Sequence, residues 1–156
     1  MDLDNKVSLV TGAGQGIGEG IAKNLASKGS KVIVVDLNQQ SSENVAEEIN
    51  KKFPNTAYSF QADLTKIDEI ESMLEFGVLK FNKIDCICNN AASSKGIGPV
   101  ESYSLENVQA TLDLTFTSLW KCLQAEIRFL KQQAISASVV NISSNSAIKG
   151  LSLIHI

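Results

Sequence analysis

Four stretches of this chain carry groups able to do chemistry together: the octet Thr11-Gly12-Ala13-Gly14-Gln15-Gly16-Ile17-Gly18, the acid Asp36, the pair Asn89-Asn90 and the pair Ser143-Ser144. The octet closes the apolar run Val7-Ser8-Leu9-Val10. After it, Ile17, Ile21, Ala22, Leu25 and Ala26 recur at helical spacing. Its glycines therefore stand where a strand turns into a helix. Such a turn suits an anion, because unpaired N–H groups and the helix dipole point at it and no Cβ blocks close approach. A dinucleotide pyrophosphate is the leading ligand; a plain structural turn is the alternative.

The elements that must position these groups alternate along the chain. The reading places a strand at 7–11, a helix from about 17 to 28 with Gly29 as its stop, and a strand at 31–36. A polar helix at 41–52 with Val45 and Ile49 inward precedes a short strand at 57–61. A helix from 67 to about 80 leads to a fourth strand at 84–89. Leu105, Val108, Leu112, Phe116, Leu119, Leu123, Ile127 and Leu130 outline one long helix by their threes and fours, and a fifth strand follows at 138–142. Strands that are apolar through most of their length, alternating with helices, predict an α/β fold with a doubly wound parallel sheet. By analogy it is Rossmann-type, with strand order 3-2-1-4-5 and ligands at the C-terminal strand edges.

Composition narrows the partners. With 156 residues, 44% hydrophobic and 20% charged, the chain is one ordinary globular domain. Its net charge of −3, without a basic stripe, argues against nucleic acid. The acidic start leads directly into a strand, without a signal peptide or membrane-spanning run, so the expected location is cytoplasmic. Cys86 and Cys88 share one strand face, while the sole histidine, His155, is far away. Small buried thiols are expected there, and no metal site.

The spacing of the octet is not the strict G-x-G-x-x-G fingerprint, since position 17 is Ile and position 19 is Glu. It reads T-G-x-x-x-G-x-G and resembles the short-chain dehydrogenase/reductase family. The resemblance implies a nicotinamide cofactor held by Gly12, Gln15, Gly16, Ile17 and Gly18. Asp36 ends the second strand, where an acid accepts hydrogen bonds from ribose hydroxyls and repels a 2′-phosphate. With Gln15 bringing no positive charge to the turn, NAD is favoured over NADP; a solvated strand-end acid is the alternative. Asp63-Leu64 falls where the family surrounds the adenine ring, although a strand-end Asp ahead of a helix reads equally well. Asn89-Asn90-Ala91-Ala92 resembles the family's N-N-A-G, with Ala92 in place of its glycine. Asn90 and Ala91 would brace the sheet beneath the cofactor, against a plain Asx turn. Val139-Val140-Asn141-Ile142-Ser143-Ser144 matches the strand leading to the family's active-site serine. That makes Ser144 the catalytic candidate, bonding the substrate carbonyl while a tyrosine supplies or takes the proton; a serine pair capping backbone is the alternative.

The chain also departs from the family. Thr115 falls on the asparagine that holds a relay water, or Asp113 does in a shifted register, and neither receives a catalytic role. The tyrosine of the family's Y-x-x-x-K would fall one position beyond Ile156, and neither Tyr58 nor Tyr103 has a lysine four residues on. Leu151-Ser152-Leu153-Ile154-His155-Ile156 back-translates as CTG TCT CTT ATA CAC ATC, a string similar to a transposase adapter of sequencing libraries. The expectation is an incomplete NAD(P)-binding domain over 1–150 and a non-native tail over 151–156, a native loop being the alternative. An uncovered sheet edge and poor solubility would accompany it. The segment 93–99 reads as a loop without an assigned site.

The expected parent activity is NAD-dependent hydride transfer between the cofactor and a secondary alcohol or ketone, in a homo-oligomer without nucleic-acid or membrane partners; the chain alone would be inactive. A non-catalytic nucleotide-binding module is the alternative. A methyltransferase is weaker, since S-adenosylmethionine brings no pyrophosphate to the turn.

Overall fold

Alternation of side chains along each strand decides the two faces of the sheet. A computed structural model describes residues 3–93, 100–134 and 136–145. Strands β1 (Val7–Thr11), β2 (Lys31–Asp36), β3 (Ala57–Gln61), β4 (Cys86–Asn89) and β5 (Ser138–Asn141) are all parallel, in the order β3-β2-β1-β4-β5. Val10, Val32, Val34 and Cys88 pack on one side, under Ala22 and Ala26 of α1 (Gly16–Ser27) and Val45, Ala46 and Ile49 of α2 (Gln39–Lys52). Leu9, Ile33, Val35 and Ile87 pack on the other. There they meet Ile70, Met73 and Leu74 of α3 (Ile67–Phe81) and Cys122 and Ala125 of α5 (Ser118–Gln132). Helices on both faces explain why the strands read as continuous apolar runs. The fold is the expected doubly wound, Rossmann-type α/β sheet.

Local chemistry sets the element ends. α2 begins two residues before the expected start because Asn38 caps it, its Oδ1 accepting from the Ser41 N–H at 3.0 Å. β4 and β5 are each shorter than the apolar runs that announce them, although the Ile142 N–H still donates to the Asn89 carbonyl at 2.8 Å.

The expected long helix is present over 105–132, with a π turn over Asp113–Thr117 between α4 (Leu105–Leu112) and α5. Its largest apolar residues do not meet the sheet: Phe116 is 69% and Trp120 61% exposed, with Leu105, Leu112 and Ile127 also exposed. The buried face of α5 consists of Ser118, Cys122, Ala125 and Glu126. Small side chains let a helix approach a sheet closely, and the apolar spacing announced a helix without saying which face the sheet would take. β5 forms one edge of the described sheet, with Val140 47% exposed. Residues 94–99 and 146–156, on which the loop and tail expectations fall, lie outside the described residues.

Candidate functional site

The turn after β1 is built from backbone. Gly12 adopts φ 60°, and a Cβ there would stand 2.8 Å from the Ala91 Cα. Gly16 adopts φ 59° with open space where a Cβ would point. The Ala13 N–H donates to the Val35 carbonyl at 2.9 Å, tying the turn to β2. Gln15 precedes α1 in an extended conformation and its side chain makes no cap bond. The first N–H groups of α1 thus lack a side-chain acceptor at the end where the helix dipole is positive.

Gly18 works from behind. A Cβ at this position would overlap the Gly12 carbonyl oxygen and lie 2.5 Å from Asn90 Nδ2. Asn90 stitches the end of β4 to the turn: its Nδ2 donates to the Thr11 and Gly12 carbonyls at 3.0 and 3.1 Å. The backbone N–H groups of Asn90 and Ala91 both donate to Thr11 Oγ1, at 3.1 and 3.2 Å.

Asp36 stands across from this turn. Its Oδ2 accepts from the Gly14 N–H at 2.8 Å and its Oδ1 from the Asn38 N–H at 2.9 Å. Both oxygens are held in place while each keeps a further lone pair for a ligand hydroxyl. Asp63 is engaged differently. Its Oδ1 accepts from the Thr65 hydroxyl at 2.7 Å and the Thr65 N–H at 3.0 Å, and Lys66 Nζ lies 3.5 Å from its Oδ2. The Thr65 hydroxyl leads in holding this carboxyl below its ordinary value, against the opposing effect of burial. Its carboxylate thus serves the local turn before α3, while Leu64 offers a buried apolar wall.

These elements enclose a cleft of about 530 Å³ at the C-terminal ends of the strands. Every residue assigned to the cofactor lines it except Gly18, which lies behind the turn. Ile17 faces outward, 69% exposed, and not into the helix's packed side. Leu37 and Leu114 also line the cleft. Sequence reading missed both, since one is a lone exposed apolar residue after Asp36 and the other sits in the unforeseen π turn. A second depression of similar volume, between α3 and α5, is walled by Phe60, Phe76, Leu79 and Phe129, with Ser72, Glu75 and Gln133 also lining it.

The remaining candidates stand apart. Ser144 follows β5, exposed, and does not line the cleft. Thr115 lies in the π turn, where its Oγ1 accepts from the Ser93 N–H at 3.3 Å; Asp113 accepts from Gln109 Nε2 at 2.9 Å on the surface. One polar group was unforeseen: Glu126, 0% exposed, accepts at Oε2 from Asn89 Nδ2 at 3.2 Å. Burial pushes its carboxyl up to about 7, with the Asn89 amide pulling the other way. Burial, seconded by the Glu126 charge, pushes the neighbouring Cys122 thiol up to about 12. Among the described residues no three His, Cys, Asp or Glu side chains gather as a metal site, and no helix is long and apolar enough to cross a membrane.

The model of the short chain dehydrogenase family matches residues 6–155. The chain belongs to this family. An uncharacterized oxidoreductase of Staphylococcus epidermidis is 31% identical over 147 residues, covering 94% of this chain and 61% of that protein. The solved structure of NAD⁺-bound xylitol dehydrogenase superposes with a TM-score of 0.88 at 29% identity, over 97% of this chain and 57% of that one. A 7α-hydroxysteroid dehydrogenase complexed with NADH and 7-oxo glycochenodeoxycholic acid superposes with a TM-score of 0.83 at 27% identity, over 96% and 57%. The chain thus spans about three-fifths of the length of each of these three relatives.

Proposed function

We propose that this protein binds NAD in the cleft between the glycine turn and Asp36, as an oxidoreductase acting on a secondary alcohol or ketone. One observation carries the reading: an uncapped α1 N-terminus and a fixed carboxylate face each other across one cleft, joined by a backbone turn in which Gly16 leaves open space. That arrangement fits the pyrophosphate and the adenosine ribose of an adenine dinucleotide. Gly12, Gln15, Gly16 and Ile17 would hold the pyrophosphate by main-chain N–H groups. Asp36 would accept from the ribose hydroxyls and exclude a 2′-phosphate by charge. Leu64 and Asp63 would flank the adenine, and Asn90 with Ala91 would keep the turn rigid from below. When bound, the nicotinamide supplies a centre that accepts or gives a hydride.

Ser144 would orient the substrate carbonyl by a hydrogen bond. No Y-x-x-x-K stands within residues 1–156, so the proton step is assigned to none of them. The NAD⁺- and NADH-bound states of the two solved relatives support a nicotinamide cofactor. The position of Ser144 outside the cleft lining and of Thr115 on a backbone bond favour a second reading, a non-catalytic nucleotide-binding module.

Calorimetric titration with NAD, NADP and S-adenosylmethionine tests the binding. NAD is expected to bind at least about tenfold more tightly than NADP, a difference of about 1.4 kcal/mol. Equal or tighter binding of NADP removes the Asp36 argument, and binding of S-adenosylmethionine alone removes the whole reading. NADH formation with a panel of secondary alcohols then separates the oxidoreductase from the binding module.

A further inference from the structure

Behind the cleft, α5 carries one carboxyl into the core. Asn89 Nδ2 donates both to Glu126 Oε2, at 3.2 Å, and to Asn141 Oδ1, at 3.0 Å. Two buried acceptors are then left without a donor among the described residues, Glu126 Oε1 and Asn89 Oδ1. Each belongs to one of the two groups already joined by the 3.2 Å bond. An ionised carboxylate offers acceptors only, so it can satisfy neither. A proton on Glu126 Oε1 makes that atom a donor, and the matching acceptor is the carbonyl oxygen of the same amide. A second hydrogen bond from this acid to that amide oxygen would close a two-bond ring and account for both orphan atoms.

The surroundings favour that state. The groups on Glu126 are the Asn89 amide from β4, through it Asn141 from β5, and the Cys122 thiol one turn earlier on α5. From α3 this core receives the apolar Ile70, Met73 and Leu74. Burial is the main influence on the proton, and the Asn89 bond is the opposing one.

The same residue holds the end of β5. Its side-chain amide donates to Asn141, its partner in register, and its main-chain carbonyl accepts from the Ile142 N–H at 2.8 Å. Ser143 and Ser144 follow immediately. We propose that Glu126 carries its proton in the folded protein and, through a two-bond acid–amide pair with Asn89, positions the end of β5 that bears Ser144. Its consequence for chemistry at Ser144 rests on the oxidoreductase reading; the proton and the strand end do not.

Infrared spectroscopy and amide hydrogen exchange on the purified full chain, at about pH 6 and about pH 9, test this. Wild type should show a protonated-carboxyl stretch at the lower pH that is missing from Glu126→Gln. Exchange at Ile142 should rise about tenfold more between the two pH values than in Glu126→Gln, where an amide–amide ring persists at both. A Glu126→Leu variant should expose Ile142 at either pH. Should it fail to fold, the Gln comparison still decides. Absence of the carboxyl band, or equal Ile142 protection in wild type and Glu126→Gln at the higher pH, overturns the proposal. NAD titrated into the same samples separates the two readings: no binding with both signals intact counts for the acid–amide pair and against the cofactor site.

Discussion

Alanine substituted at Gly16, Gly18 and Gly20 in turn tests the account of the glycine turn, because each position carries a different physical cost. At Gly20 a Cβ meets nothing within 4 Å and φ is not left-handed, so alanine should stabilise α1 by about 0.5–1 kcal/mol. At Gly16 the space is also open but φ is 59°, which costs an L-residue about 1–2 kcal/mol. At Gly18 the backbone is unstrained and the cost is steric. The methyl would overlap the Gly12 carbonyl oxygen, with Asn90 Nδ2 at 2.5 Å and the Gly12 carbonyl carbon at 2.8 Å. Two of these atoms are backbone and cannot rotate away. Overpacking of this kind costs about 1–3 kcal/mol. Displacing Asn90 also weakens its two bonds to the Thr11 and Gly12 carbonyls, at about 1 kcal/mol each. Gly18→Ala should therefore lose about 4 kcal/mol, Gly16→Ala a smaller amount, and Gly20→Ala should gain. Urea unfolding at constant m value measures all three. A Gly18→Ala protein as stable as Gly20→Ala would refute the reasoning, since the packing of α1 onto the turn could not then be as close as the geometry states.

Asn90→Ala removes both side-chain bonds and should lower stability by about 2 kcal/mol while weakening NAD binding, read by the same unfolding assay and by calorimetry. Asp36→Ala should narrow the preference for NAD over NADP by about tenfold in paired titrations; an unchanged ratio would show that the carboxylate does not discriminate. Glu126 gives stability a pH dependence of definite sign. Its folded value of about 7 lies above the ordinary 4.5, so its contribution is complete below about 4.5 and is lost as pH rises through about 7. The total is roughly 3 kcal/mol, and Glu126→Gln should flatten the slope of urea midpoints against pH across that window.

The glycine turn and the sheet were legible because their causes are local. A β-branched run, a turn of glycines and a helical period lie within one short stretch, and Asp36 sits one strand further on at a position the fold prescribes. Of the residues that this reasoning assigned to the cofactor, all but Gly18 line the cleft. It placed Gly18 there too, where the chain packs it instead beneath Gly12, because the need for a missing Cβ reads identically whether a ligand or the protein's own backbone takes the space.

Sequence by itself determined the alternation of strands and helices, the parallel sheet they imply and the glycine turn between β1 and α1, for these follow from period and residue type over a few neighbours. Tertiary structure alone decided which face of α5 meets the sheet, turning Phe116 and Trp120 outward and Glu126 inward. It alone brought Glu126 to Asn89, 37 residues away, and committed the Asp63 carboxylate to Thr65. The physical reason is that periodicity reports that a helix has faces, whereas the burial and protonation of a carboxyl depend on which distant groups fold around it.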